Sequence, residues 1–179
     1  MTLETDGLPI LAMAAAGGNL YATISVFDAT ALVCRLAVTS KQAWESIGTN
    51  NVAEIVAMAA GLDQPDGDES LYALSSTNRL WSRGLTLTTS EEWKMLALTE
   101  DVIGLGVSWF GSTSTFYAVT STNLLVGRNA AKADGPWHVL GHADNVAAMT
   151  GTVLSAHSGA VFVATKDGEL LRLDTTAVS

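Results

Sequence analysis

Four arginines divide this chain at near-equal intervals. Arg35, Arg83, Arg128 and Arg172 stand 48, 45 and 44 residues apart, in "LVCR", "LWSR", "LVGR" and "LLR". A guanidinium presents five donors in a fixed fork, a shape suited to carboxylates and sugar hydroxyls. Nine or ten residues after the first three comes a tryptophan, at Trp44, Trp93 and Trp137, and an indole gives a face on which a cation or a sugar ring stacks. A ring of such groups could bind one ligand per repeat. The plainer reading has each guanidinium pin its own segment, by stacking on that tryptophan or by bonding backbone carbonyls. Trp81 and Trp109 occur once each; exposed, they are stacking platforms, and otherwise they fill core.

Other side chains with chemical potential are sparser. Glu54, Asp101 and Asp144 recur, each just ahead of a small apolar stretch. Convergent carboxylates could hold a cation through oxygen ligands, which makes these three weak metal candidates; solvated or turn-capping carboxylates are the simpler expectation. "LDQPDGDES" at 62–70 carries Asp63, Asp66, Asp68 and Glu69 without the spacing of a twelve-residue calcium loop. His138 and His142 are four apart with no third ligand near them in sequence, and His157 sits in "SAHSG". Cys34 is the single cysteine, so an internal disulfide framework is excluded. There is no nucleophile elbow, phosphate loop or dinucleotide fingerprint, and no cofactor is expected.

What positions these residues is an internal repeat. Aromatic strands recur at "NLYAT" (19–23), "SLYAL" (70–74), "TFYAV" (115–119) and "VFVAT" (161–165), with Tyr21, Tyr72, Tyr117 and Phe162 spaced by 51, 45 and 45 residues. "WESIG", "WKMLA" and "WHVLG" follow at 44–48, 93–97 and 137–141. Small-residue strands, "LAMAA" (11–15), "VAMAA" (56–60) and "AAMTG" (147–151), precede the aromatic ones, and "IGLGV" (103–107) takes that place in the third unit. Each unit reads as four short antiparallel strands, and units of that kind repeating every 45–50 residues signal a β-propeller blade. Asn and Asp-Gly in the turns between second and third strands suit the positive φ that such turns require. Ala and Gly in the first strand suit the crowded axis of a ring.

The expected fold is therefore all-β, one propeller domain over 1–179. It has about four blades at roughly 10–54, 55–101, 102–145 and 146–179. The last blade is incomplete. Counting nine or ten residues from Arg172 runs past Ser179, so the fourth blade lacks its tryptophan strand. An open β edge invites pairing, and two covers are foreseen: the N-terminal "MTLETDG", with Met1 or Leu3 in the tryptophan's place, or a second subunit.

Composition limits the partners. Net charge is −9, with nine Lys plus Arg and no basic run; nucleic acid needs clustered cations. No apolar run reaches membrane-spanning length, so no membrane insertion is expected. "PILAMAAAGG" follows Glu4 and Asp6 rather than a basic flank, so no secretory leader is read and cytoplasmic residence is the default.

"NLYAT" followed by "WESIG" resembles the lectin propellers of the tachylectin-2 and tectonin type, which carry a Gly-x-Leu-Tyr-like strand and a later Trp-x-x-x-Ile-Gly-like strand in each blade. The resemblance runs over nearly the whole chain. It implies glycan binding, of amino sugars or their relatives, with one site per blade. The leading expectation is a non-enzymatic, multivalent carbohydrate-binding module, in which many weak sites sum to avidity. The alternatives are a protein-interaction scaffold or assembly subunit, including a homo-oligomer formed through the incomplete blade, and a small propeller hydrolase.

Overall fold

The computed structural model describes residues 9–26, 29–36, 44–49, 52, 54–62, 69–85, 92–99, 101–110, 113–155 and 158–175. The strands are β1 (Ile10–Ala16), β2 (Asn19–Val26), β3 (Ala29–Leu36) and β4 (Glu45–Thr49) in the first sheet. β5 (Ile55–Leu62), β6 (Glu69–Ser75), β7 (Arg79–Gly84) and β8 (Lys94–Leu98) make the second. β9 (Val102–Phe110), β10 (Thr113–Thr120), β11 (Leu124–Asn129) and β12 (His138–His142) form the third. The fourth holds β13 (Val146–Ser155), β14 (Ser158–Thr165) and β15 (Leu170–Thr175). Every sheet is an antiparallel meander, and the four are arranged as a four-bladed β-propeller. Among the described residues there is no α-helix, and none that could cross a membrane.

Local chemistry repeats with the blades. Turns between the second and third strands of blades two to four are closed by bonds from Asn78 to Ser75, Asn123 to Thr120 and Gly168 to Thr165. Their last residues have φ of 56°, 64° and 87°, the left-handed region that Asn and Gly enter most readily. The same bulge recurs near the start of each inner strand, skipping Leu11, Val56, Ile103 and Ala147 in the pairing. Beside it a backbone carbonyl (Pro9, Glu54, Asp101 or Asn145) accepts from Ser25, Ser76, Ser121 or Lys166. The acidic recurrence noted in the sequence follows this backbone device. In the fourth blade its position falls on Asn145, one residue beyond Asp144.

The core lies between blades. Leu71 and Ala73 face blade one, packing with Tyr21, Leu32 and Ile47. Their neighbour Tyr72 faces the other way, meeting Phe116 edge-on at 4.8 Å between ring centres. Tyr117 and Val119 face blade four, against Val161 and Val163. Alternation thus gives each blade one face toward its predecessor and one toward its successor. Inner strands pack in the order β1, β5, β9, β13, and they approach closely where side chains are smallest. A Cβ added at Gly151 would lie 2.3 Å from the carbonyl oxygen of Val107, and one at Gly106 would lie 2.9 Å from the Gly151 nitrogen.

Among the described residues no comparable packing joins β13 back to β1. Met13 on β1 is 43% exposed, and Ala15, Ala148 and Thr150 are also exposed, although inner strands elsewhere are largely covered. The fourth sheet has three strands among the described residues. Met1 and Leu3, the foreseen closing residues, lie outside them.

A candidate functional site between blades three and four

The arginines divide into two groups. Arg83 pairs across the ladder with Leu71, and Arg128 with Phe116, so both turn toward the preceding blade. Both are buried. Arg83 donates from an Nη to the Ile47 carbonyl of blade one at 2.9 Å. Arg128 donates to the Gly135 carbonyl at 3.2 Å, and its guanidinium carbon lies 4.1 Å from the centre of the Trp137 ring. Burial lowers the affinity of Arg128 for its proton and Asp134 opposes that; an arginine stays charged regardless. These contacts are the pinning arrangement. Arg35 pairs with Leu20 at the matching ladder position; its side chain, like that of Trp109, lies outside the described residues.

Arg172 breaks the series. It pairs with Phe162, whereas Leu173 pairs with Val161 on the face toward blade three. Leu173 therefore holds the place that Arg83 and Arg128 occupy in their blades. Arg172 is turned to the opposite face, where its Nε donates to an Asp174 oxygen at 2.7 Å in an exposed ion pair.

In blade two, Trp93 packs on the outer strand of blade one beside Ile47, and Trp137 packs on blade two beside Leu96 and Ala97. Ile47, covered by blade two, is 4% exposed, while its counterpart Leu140 in blade three is 39% exposed. Beside Leu173 lies a cavity of about 240 Å³. It is lined by Leu125, Leu140, Gly141, His142 and Ala143 of blade three and by Val163, Leu171, Arg172 and Leu173 of blade four. A Cβ placed at Gly141 would meet nothing within 4 Å. The walls are mainly leucine, valine and alanine, with one imidazole and one guanidinium at residues whose ladder partners face away, and no carboxylate or hydroxyl side chain. Such a lining can hold an apolar group by desolvation.

The remaining candidates lie elsewhere. Trp81 is half-buried against the core between blades one and two, its indole nitrogen donating to the Ser75 hydroxyl at 3.4 Å. Glu54, Asp101 and Asp144 are exposed at three separate blade entrances. Among the described residues no group of three or more His, Cys, Asp or Glu is placed to hold a metal ion. His138 and His142 are exposed, and the bulge between Leu125 and Val126 pairs them with Gly127 and Leu124, on opposite faces of the sheet. His157 and the acidic loop at 63–68 lie outside the described residues. The cavity itself was missed by a reading that looked for polar residues.

Tyr117 anchors the same interface. Burial pushes its phenol above the ordinary value of 10, with the Thr175 and Thr115 side chains pulling it back. The unfolded chain therefore ionises first, and stability is full below pH 10 and falls as pH climbs beyond it. Thermal unfolding between pH 8 and 11 should show that decline, and Tyr117→Phe should make it shallower.

No family model matches the sequence, nor does any curated protein sequence. Solved structures match in fold. The computationally designed Ika4 protein is 13% identical, with a TM-score of 0.52 over 96% of this chain and 94% of that one. The catalytic domain of the Coprinopsis cinerea GH62 α-L-arabinofuranosidase is 9% identical, with a TM-score of 0.61 over all of this chain and 67% of that one. The Aleuria aurantia lectin, a six-bladed propeller described as recognising fucose, is 14% identical, with a TM-score of 0.52 over all of this chain and 64% of that one. The chain thus spans about two thirds of these two natural proteins, close to four blades of the lectin's six. At such identities the likeness is one of fold, and the class it defines is the β-propeller.

Proposed function

We propose that the chain is a non-catalytic binding module whose cavity between blades three and four receives a planar apolar side chain, an indole or phenyl group, from a protein partner. The observation that supports this reading is a replacement within the repeat: Leu173 stands at the arginine position, beside an apolar opening. The opening has the location of a tryptophan in the neighbouring blades and an apolar lining. Buried aromatic anchors in such pockets commonly dominate protein–protein affinity. The second reading, a sugar-binding propeller, draws on the fold shared with the Aleuria aurantia lectin and on the exposed Arg172–Asp174 pair, whose polar groups suit hydroxyls. The repeated arginines lend it less, because Arg83 and Arg128 are turned inward on backbone carbonyls and an indole.

Titration with N-acetyl-tryptophanamide and, separately, with fucose and N-acetyl sugars distinguishes the two, using methyl resonances of Leu140, Leu171 and Leu173. The expected result is a saturable shift with the indole, abolished by Gly141→Leu, which fills the cavity from its open side. Sugar binding in place of indole binding, or no response to the indole, would overturn the aromatic-seat reading.

A further inference from the structure

Three buried hydroxyls between blades three and four make a polar site apart from the cavity. Thr115 and Tyr117 stand two apart on β10, so both turn toward blade four. Thr175 stands two after Leu173 on β15, so both turn toward blade three. Thr115 and Tyr117 are wholly inaccessible, and Thr175 is 7% exposed. The two threonines lie close enough to act on the Tyr117 phenol. Even so, none of the three oxygens is placed to bond another protein group directly. We infer that they hold one buried water molecule, which bridges Thr115 and Tyr117 of β10 to Thr175 of β15.

The repeat shows how this interface differs from the others. Between blades one and two, Tyr21 shares a core cluster with Leu85, the residue just after the ladder partner of Ser70. Between blades two and three, Tyr72 shares one with Ala130, just after the partner of Thr115. The matching residue of blade four is Thr175, just after Asp174, the partner of Ala160. A hydroxyl thus stands beside Tyr117 where the other tyrosines have an aliphatic group. Second-strand residues vary in step: Asn19, Ser70 and Thr115 stand two before tyrosines, whereas Ala160 stands two before Phe162. Each phenol has a polar companion, and the phenyl has none. Buried polar groups are nearly always hydrogen-bonded, and a buried water commonly makes about three such bonds. Three neutral hydroxyls supply donors and acceptors for one water, and no charge that would hold an ion. None of them lines the apolar cavity, so this site stands whether or not an aromatic side chain enters there.

A high-resolution crystal structure of the 179-residue chain tests this directly. The expected result is one ordered water within roughly 2.5–3.0 Å of all three oxygens, the range of O–H···O bonds. In solution, nuclear Overhauser transfer from that water to the Thr115 and Thr175 methyls should mark a long-lived site. The double variant Thr115→Val/Thr175→Val exchanges each hydroxyl for a methyl at nearly constant size. It should lose both the water and the transfer while keeping the circular dichroism of the folded chain. Should the double variant fail to fold, the unsubstituted chain decides the question alone. Direct hydrogen bonds among the three hydroxyls with no water between them, or a water that persists in the double variant, would overturn the inference.

Discussion

Phe116→Ala should destabilise the fold by about 3–5 kcal/mol, the usual result of deleting a fully buried aromatic side chain. Phe116 is wholly inaccessible at the interface of blades two and three, between Tyr72, Leu105 and Val107. Its removal takes away apolar burial, leaves a cavity that rigid strands on both sides cannot collapse, and abolishes the edge-to-face contact with Tyr72. That contact alone is worth roughly 0.5–1.5 kcal/mol. Domains are commonly stable by only about 5–15 kcal/mol, so the loss is a large fraction of the whole. The urea midpoint should fall with the slope unchanged. A double-mutant cycle with Tyr72→Leu should return a coupling in the range of the aromatic pair. A midpoint unchanged in Phe116→Ala would mean that blades two and three do not pack as described.

Gly151→Ala is the second large effect, and it is the smaller change chemically. Its new methyl would stand 2.3 Å from the carbonyl oxygen of Val107 and 2.6 Å from the carbonyl carbon. Those are backbone atoms of β9, so no side-chain rotation relieves the clash, and β13 must move away. Overpacking of this kind costs about 1–3 kcal/mol and more where nothing yields. Because β13 carries the whole fourth blade, hydrogen exchange in β13–β15 should accelerate more than in blades one and two. Gly141→Ala is the matched control. Its methyl would enter open space, and the change should stay within about 0.5 kcal/mol.

The two glycines show where sequence reading reaches and where it stops. Both stand in strands of a recognisable repeat, and nothing local tells them apart. One is held by a neighbouring blade 44 residues earlier, and the other borders a cavity.

The fold was legible because its signals are local and repeated. Tyr21, Tyr72, Tyr117 and Phe162 mark the second strands. Asn78, Asn123 and Gly168 mark turns whose positive φ only a few residue types tolerate, and Trp44, Trp93 and Trp137 precede or open the outer strands. The odd spacing from Trp44 to Ile47 also foretold that they would serve opposite faces, and the two side chains do pack in different core clusters.

The site was less legible, and Arg172 shows why. Counted along the chain it belongs with Arg83 and Arg128. In the ladder it falls one residue short, and in a strand one residue exchanges the two faces. That shift puts Leu173 against blade three, sends Arg172 outward to Asp174, and turns a polar contact into an apolar opening. By itself the sequence determined that four similar sheets form, and with which turns. Register and packing between blades decided which arginines are buried and where a cavity opens between blades three and four. Those outcomes depend on residues about 45 positions apart coming into contact, and such distances are set by the assembled ring rather than by any local preference.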